Sequence, residues 1–255
     1  MLARAASLPA DEVIVDLEDA VAPADKDAAR EQGAAAIRTR PGRTTALRVN
    51  ARGTRWWEDD LRAAAEAGPD VVVLPKVESP DDVAAAAGLL PAGIGLEAQI
   101  ETARGLVEVE RIAAAGHGLE ALVLGPADLA ASLGVPVLTI GAGASEYALA
   151  RIAVAARANG LQALDGPWAA LEDDEGLLAS ARRALAHGYD GKWVIHPSQI
   201  EPVNEVFTPG EEELARAERI LAAGEGALRH EGELVDAASR RLAEALLARG
   251  RAAGR

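Results

Sequence analysis

Polar side chains recur at the ends of short apolar runs, and their types define the chemistry open to this chain. In order they are Asp16-Leu17-Glu18-Asp19, Arg48-Val49-Asn50, Pro75-Lys76, Glu101, Asp128, Asp165 and His196. One charged run end is an ordinary surface feature, whereas a series of them is what a site shared between strand ends requires. Glu101 and Asp128 form the sharpest pair. They close consecutive runs, and neighbouring strands lie ~4.8 Å apart, so both carboxylates can reach one ion. Mg²⁺ suits them because it takes oxygen ligands and keeps waters beside one or two carboxylates. The competing readings are local: Glu101 as an acid favoured at the start of a helix, and Asp128 as the N-cap of a helix over 129–132. Arg48 ends an otherwise apolar run, and its planar fork suits a carboxylate or an enolate oxygen. Its alternative is a structural ion pair with Glu18 or Asp19. Lys76 either holds a substrate carboxylate or balances the acids. Pro126, Pro167 and Pro197 either shape a substrate channel or simply end strands, and His196 and Gln199 read as structural.

The elements that must position these groups are legible in the hydrophobic pattern. Apolar runs fall at 13–17, 46–49, 71–74, 94–100, 121–124, 161–164 and 193–195. Helical periodicity fills the spaces between them, for example over 57–67, 104–115 and 177–187. Buried runs alternating with amphipathic helices predict parallel strands joined by helical crossovers. One such unit occupies about 30 residues, which matches the spacing. The longest gap, between the fifth and sixth runs, carries a small-residue insertion over 134–145. The expected fold is therefore α/β, a TIM-type barrel whose active site lies at the C-terminal ends of its strands. A closed barrel has eight strands, and the pattern supplies seven. Residues 1–6 read as the tail of a helix, so the first strand is expected to be absent or the barrel open. A misplaced start codon is the leading explanation. The barrel domain is expected over 1–208. A C-terminal extension over 209–255 should hold helices at 211–222 and 236–249 around a loop at 224–233, and pack on a neighbouring subunit.

Composition narrows the function classes. The 255 residues are 49% hydrophobic, enough for one large core, and carry 40 acids against 26 bases for a net charge of −14. Lys and Arg form no cluster, which argues against a nucleic-acid partner. There is no Cys and only four His, which excludes disulfides and thiolate metal sites and disfavours a His-rich zinc site. No apolar run reaches the ~18 residues of a membrane span, and no secretory leader is evident. The expected location is the cytoplasm.

Taken together the segments VIVDLEDAVAPADK (13–26), LRVN (47–50), VVVLPKVES (71–79), QIETARGL (99–106), GPADLAASLG (125–134), ALDGPW (163–168), WVIHPSQI (193–200) and GALRHEGELVDAASRRLAEALL (226–247) resemble the citrate lyase β-subunit-like branch of the HpcH/HpaI aldolase superfamily. The resemblance covers nearly the whole chain. It implies a TIM barrel, a homo-oligomer (trimer or hexamer) and Mg²⁺ chemistry on citryl-, malyl- or citramalyl-CoA-like thioesters. It implies Glu101 and Asp128 as metal ligands, Arg48 as a substrate contact, and Glu18 and Asp19 beside the metal waters. It also implies that Asp236 enters a neighbour's active site, although by its sequence setting Asp236 reads as the N-cap of the last helix. Family members usually begin with a strand ending in a Val-Pro-Gly-like turn, in keeping with the count of seven here. GPADLAASLG looks closer to the CoA-independent aldolases.

The expected activity is a reversible cleavage of a 3-hydroxyacyl-CoA into an acyl-CoA and a 2-oxo acid. Arg48, Asp236, Glu18 and Asp19 are the expected catalytic residues. Arg48, Glu101, Lys76, Pro126 and Asp165 are the expected substrate contacts. The rivals are a CoA-independent hydroxy-keto-acid aldolase, a malyl-CoA-type thioesterase and an inactive barrel subunit.

Overall fold

Valine- and leucine-rich segments bounded by polar turns can bury both faces only in a sheet covered by helices, and the computed structural model realises that arrangement. It describes residues 5–40, 42–136, 139, 141, 146–223, 228–230 and 233–254. Two compact units divide at Glu201/Pro202. The first unit runs β1 (Glu12–Asp16), α1 (Lys26–Arg38), β2 (Thr44–Arg48), α2 (Trp57–Ala67), β3 (Val71–Leu74), α3 (Pro80–Ala87), β4 (Gly95–Ile100), α4 (Ala103–Ala113), β5 (Leu119–Leu124), α5 (Pro126–Ser132), α6 (Glu146–Ala158), β6 (Gln162–Asp165), α7 (Asp174–Ala186) and β7 (Gly191–Lys192). A short 3-10 turn (Pro197–Gln199) leads into α8 (Ile200–Phe207), within which the division falls.

All seven strands are parallel and lie in chain order, the arrangement of a TIM-type barrel. Among the described residues β1 and β7 are not paired with each other, so the sheet is an open curl. The curl shows in one contact. Register aligns Asp16 with Arg48, Arg48 with Val73 and Val73 with Glu97. Yet the Glu97 side chain hydrogen-bonds to Glu12, four residues earlier on β1 than its register row. Strand tilt and stagger produce that offset.

Period-two alternation puts Glu97, Gln99 and the following Glu101 on the interior side of β4, while Leu96, Ala98 and Ile100 face the helices. The interior is layered. Glu12 and Glu97 lie at the N-terminal end. Ala46, Val71, Val73, Ile14 and Trp193 fill the middle. Asp16, Arg48, Gln99 and Glu101 reach the C-terminal end. The helices seal the outside with Ile37, Leu61, Ile112 and Ile152, all fully buried. Each contributes about 2 kcal/mol by leaving water.

Local signals set the helix ends. In α3, Ser79 and Asp82 form a capping box before Pro80 at the first helical position. Thr102 caps α4 by accepting from the Gly105 N–H, and α2 stops at Gly68 in the left-handed conformation.

Four sequence expectations are corrected or fall outside the described residues. The seventh strand is Gly191–Lys192 and not 193–195. β7 is an edge with a neighbour on one side only, and its ladder continues just to the Trp193 N–H bond to Asp165 O. The expected loop at 224–233 contains an antiparallel hairpin, β8 (Leu228–His230) with β9 (Glu233–Val235). Of the helix tail over 1–6, residues 1–4 lie outside the described residues, as do 137, 138, 140 and 142–145 of the small-residue insertion.

The second unit holds α9 (Glu211–Ala222), the hairpin, and α10 (Ala237–Ala252). α9 and α10 pack closely on each other, with Leu214 against Gly250.

The interior acid pair makes stability depend on pH. Burial, with Glu120 and Asp70 nearby, raises the Glu12 carboxyl from 4.5 to about 7, although its bond to Glu97 opposes the rise. Burial raises Glu97 well above its ordinary range. The unfolded chain therefore releases these protons first. The penalty is absent below about pH 4.5 and grows as pH climbs through 7. Glu12→Gln should flatten urea-unfolding stability between pH 5 and 8, with a gain at pH 8 of about 1–3 kcal/mol. An unaltered pH slope would contradict the raised carboxyl of Glu12.

Candidate active site

Asp16 ends β1 directly beside Arg48, which ends β2. The two form a bidentate pair, with Arg48 Nε donating to Oδ1 at 2.8 Å and Nη2 to Oδ2 at 2.6 Å. The same carboxylate accepts from the N–H groups of Glu18 and Ala20, which folds the following loop over the strand ends. Lys26 fastens that loop from α1 through the carbonyls of Leu17 and Glu18. Glu18 is thereby buried, and its Oε2 lies 3.1 Å from Arg48 Nη1 as an ion pair without hydrogen-bond alignment. Burial opposes both charges of the Asp16–Arg48 pair. Their mutual bonds and attraction more than reverse it, holding Asp16 below its ordinary range and Arg48 above.

Glu101 follows β4 and is 2% exposed. Its carboxylate accepts the Lys76 backbone N–H at 2.8 Å and Gln99 Nε2 at 2.7 Å. Gln99 Oε1 in turn lies 3.5 Å from Arg48 Nη1, so one amide connects Arg48 to Glu101. Gly125 permits this arrangement, because a Cβ there would stand 2.2 Å from Glu101 Oε2. Asp128 lies in the first turn of α5, after Pro126 at the first helical position. The cap of α5 is Gly125 and that of α4 is Thr102, so neither acid serves as the cap residue.

Three carboxylates converge on one cation, the ammonium of Lys76. It lies 2.7 Å from Glu18 Oε1, 2.8 Å from Asp128 Oδ2 and 3.9 Å from Glu101 Oε1. Burial pushes the Glu101 carboxyl up to about 8; Lys76 opposes that shift, and the charges of Asp128 and Glu18 add to it. Lys76 is held above its ordinary range: burial would lower it, and bonds to Asp128 and Glu18 overcome that. Ligand oxygens of Glu18, the exposed Asp19 and Asp128 also come within 4.8 Å of one another. A group of oxygen donors in excess of its balancing cation, two of them on the buried Glu18 and Glu101, suits a hard divalent ion such as Mg²⁺. The residues present fit that metal.

The structure thus brings together Glu18, Asp19, Arg48, Lys76, Glu101 and Asp128. Pro126 is buried in the first turn of α5, which also carries Asp128. Asp165 does not join this set by any described contact. Its carboxylate binds Lys192 Nζ at 2.6 Å, and that ammonium also donates to Gly166 O and Ser180 Oγ. Gln199 and His196 make local bonds near the end of the sheet. Gln199 ties the Ile195 N–H to the Trp168 carbonyl, and His196 accepts from the Ser198 N–H at the start of the 3-10 turn. Asp236, in the second unit, caps α10 through Oδ1, which accepts from Ala238 N, Ser239 N and Ser239 Oγ. Among the described residues its Oδ2 takes no hydrogen bond. Two residues at the centre of the site were not singled out from sequence, Asp16 and Gln99. Aligning the ends of β1 and β2 would have found Asp16.

Comparison with known proteins places the chain in a family. The family model described as HpcH/HpaI aldolase/citrate lyase matches residues 1–197. An L-malyl-CoA/β-methylmalyl-CoA lyase of Cereibacter sphaeroides is 38% identical over 281 residues, covering 96% of this chain and 88% of that protein. A (3S)-malyl-CoA thioesterase of the same species is 40% identical over 231 residues, covering 90% and 80%. The solved structure of CitE from Mycobacterium tuberculosis, in complex with magnesium, acetoacetate and coenzyme A, superposes with a TM-score of 0.81 at 40% identity, covering 95% and 90%. The chain belongs to the HpcH/HpaI aldolase/citrate lyase family.

Proposed function

We propose that the chain is a magnesium-dependent carbon–carbon lyase that cleaves, or in reverse forms, a 3-hydroxyacyl-CoA thioester of the malyl-, citramalyl- or citryl-CoA kind, yielding an acyl-CoA and a 2-oxo acid. The observation that carries this reading is the convergence of Glu18, Glu101 and Asp128 on one cation position beside the half-buried Arg48. Relatives named malyl-CoA lyases and a structural relative holding magnesium, acetoacetate and coenzyme A support it.

Glu101 and Asp128 would hold the metal, with Glu18 and Asp19 beside its waters. When bound, the metal supplies Lewis-acid polarisation of the oxo-acid carbonyl. The remaining work falls to this chain's side chains. In cleavage the hydroxyl proton passes to a carboxylate of the Glu18–Asp19 pair as the carbon–carbon bond breaks, and the bonding electrons pass to the thioester as an enolate. Arg48, oriented by Asp16, sets a fixed positive charge against the enolate oxygen. The enolate carbon then takes a proton. Asp236 of a neighbouring subunit is assigned that transfer, and its Oδ2 is the oxygen available for it. Lys76 and Pro126 border the oxo acid. Asp165 acts at one remove, holding Lys192 against the Gly166 carbonyl.

The second unit is assigned to an oligomer contact, a trimer or hexamer. Leu234 and Leu242, 68% and 73% exposed, supply apolar surface for it. No helix among the described residues is long and apolar enough to cross a membrane, and a cytoplasmic location fits the cysteine-free sequence. The identity to a malyl-CoA thioesterase favours one second reading, hydrolysis of the same class of substrate.

Asp128→Asn should abolish Mg²⁺ binding in calorimetry and reduce turnover by at least about a hundredfold while leaving the fold intact. Retained metal-dependent turnover would refute the ligand assignment. Arg48→Ala should cut kcat by roughly 10²–10³ with metal still bound, and near-normal kinetics would remove Arg48 from the reaction. With malyl-CoA, the lyase gives acetyl-CoA and glyoxylate in equal amounts. Free CoA together with malate would instead establish the thioesterase.

A further inference from the structure

Lys76 departs from ordinary backbone geometry at the centre of the site. Its φ is 52°, in the left-handed region that non-glycine residues rarely adopt. That conformation coincides with contacts at both ends of the residue. The backbone N–H meets Glu101 Oε1, and the ammonium bridges Glu18 and Asp128. A residue kept in a strained conformation by its surroundings invites a functional reading.

The ammonium lies 2.8 Å from Asp128 Oδ2 and 3.9 Å from Glu101 Oε1, so a cation touching both carboxylates would lie close to it. Two cations do not share that position, and like charges this close repel strongly in a partly buried site. The lysine stem is flexible, and its charge is a compact point. Glu18 can retain the ammonium if it leaves Asp128, because its Oε1 contact is separate and shorter. Building on the metal site proposed above, we propose that Lys76 is an internal competitor for the divalent ion: its ammonium balances the acids, and the ion enters by displacing it from Asp128 and Glu101 onto Glu18. Lys76 therefore weakens metal binding and does not support it. Its side chain can be removed without losing the bond to Glu101, because that bond comes from the backbone.

Calorimetric titration with MgCl₂ tests this on the full chain. Lys76→Gln should tighten Mg²⁺ binding at least about tenfold, and its melting temperature should rise more on saturation with Mg²⁺ than that of the parent. Lys76→Gly, which also relieves the positive φ, should tighten binding likewise and covers the case of poor folding by the glutamine variant. Lys76→Arg, which keeps the charge, should not tighten it. Unchanged or weaker Mg²⁺ affinity in both neutral variants, or equal tightening in the arginine variant, overturns the proposal. Titration of Asp128→Asn separates the two claims. If it binds Mg²⁺ as well as the parent does, the metal-site reading fails and this inference with it. If it loses binding while the neutral Lys76 variants match the parent, only the competition fails.

Discussion

Carboxylates taken out of water at the strand ends must be balanced, and the site is organised around that requirement. A buried unpaired charge is costly enough that the group neutralises instead. Glu101, 2% exposed, sits near that limit, with its carboxyl pushed up to about 8. Two cations hold the cluster together. Arg48 is committed to Asp16 by a bidentate bond, and Lys76 is shared among Glu18, Asp128 and Glu101. The neighbouring acids outnumber those two cations, which gives the site its capacity for a divalent ion.

The scaffold serves this balance from behind. The Asp16 carboxylate orients Arg48 and shapes the loop that carries Glu18, so one residue couples Arg48 to the carboxylate cluster. Gln99 repeats the coupling from β4 by contacting both Arg48 and Glu101. Asp165 and Lys192 form a separate buried pair that fixes the β6–β7 end without entering the cluster. At the opposite end of the curl, Glu12 and Glu97 lack cationic partners among the described residues, and burial holds both carboxyls above their ordinary range.

How much of this was legible in the sequence depended on range. The strand-end acids Glu101 and Asp128 stood out because parallel strands present their C-terminal ends together, and seven βα units were countable from apolar runs. Asp16 was quoted but not chosen, since its role depends on register with Arg48. Gln99 looked like an ordinary strand residue until its two partners were placed. The Glu12–Glu97 contact arises from strand stagger, which no local pattern encodes. The β8–β9 hairpin lay in a stretch whose glycines read as a loop. β7 ended earlier than its apolar run because an edge strand is held from one side only. Asp236 satisfies its local reading as a cap, and its proposed role depends on a neighbouring chain.

The central claim is that Glu101 and Asp128 hold a divalent ion beside Arg48. Anomalous diffraction from crystals of the full chain soaked in MnCl₂ tests it most directly. The account predicts one strong manganese peak within coordination distance of both carboxylates, with the Lys76 ammonium moved off Asp128. A peak that touches neither Glu101 nor Asp128, or no peak at saturating MnCl₂, would contradict it.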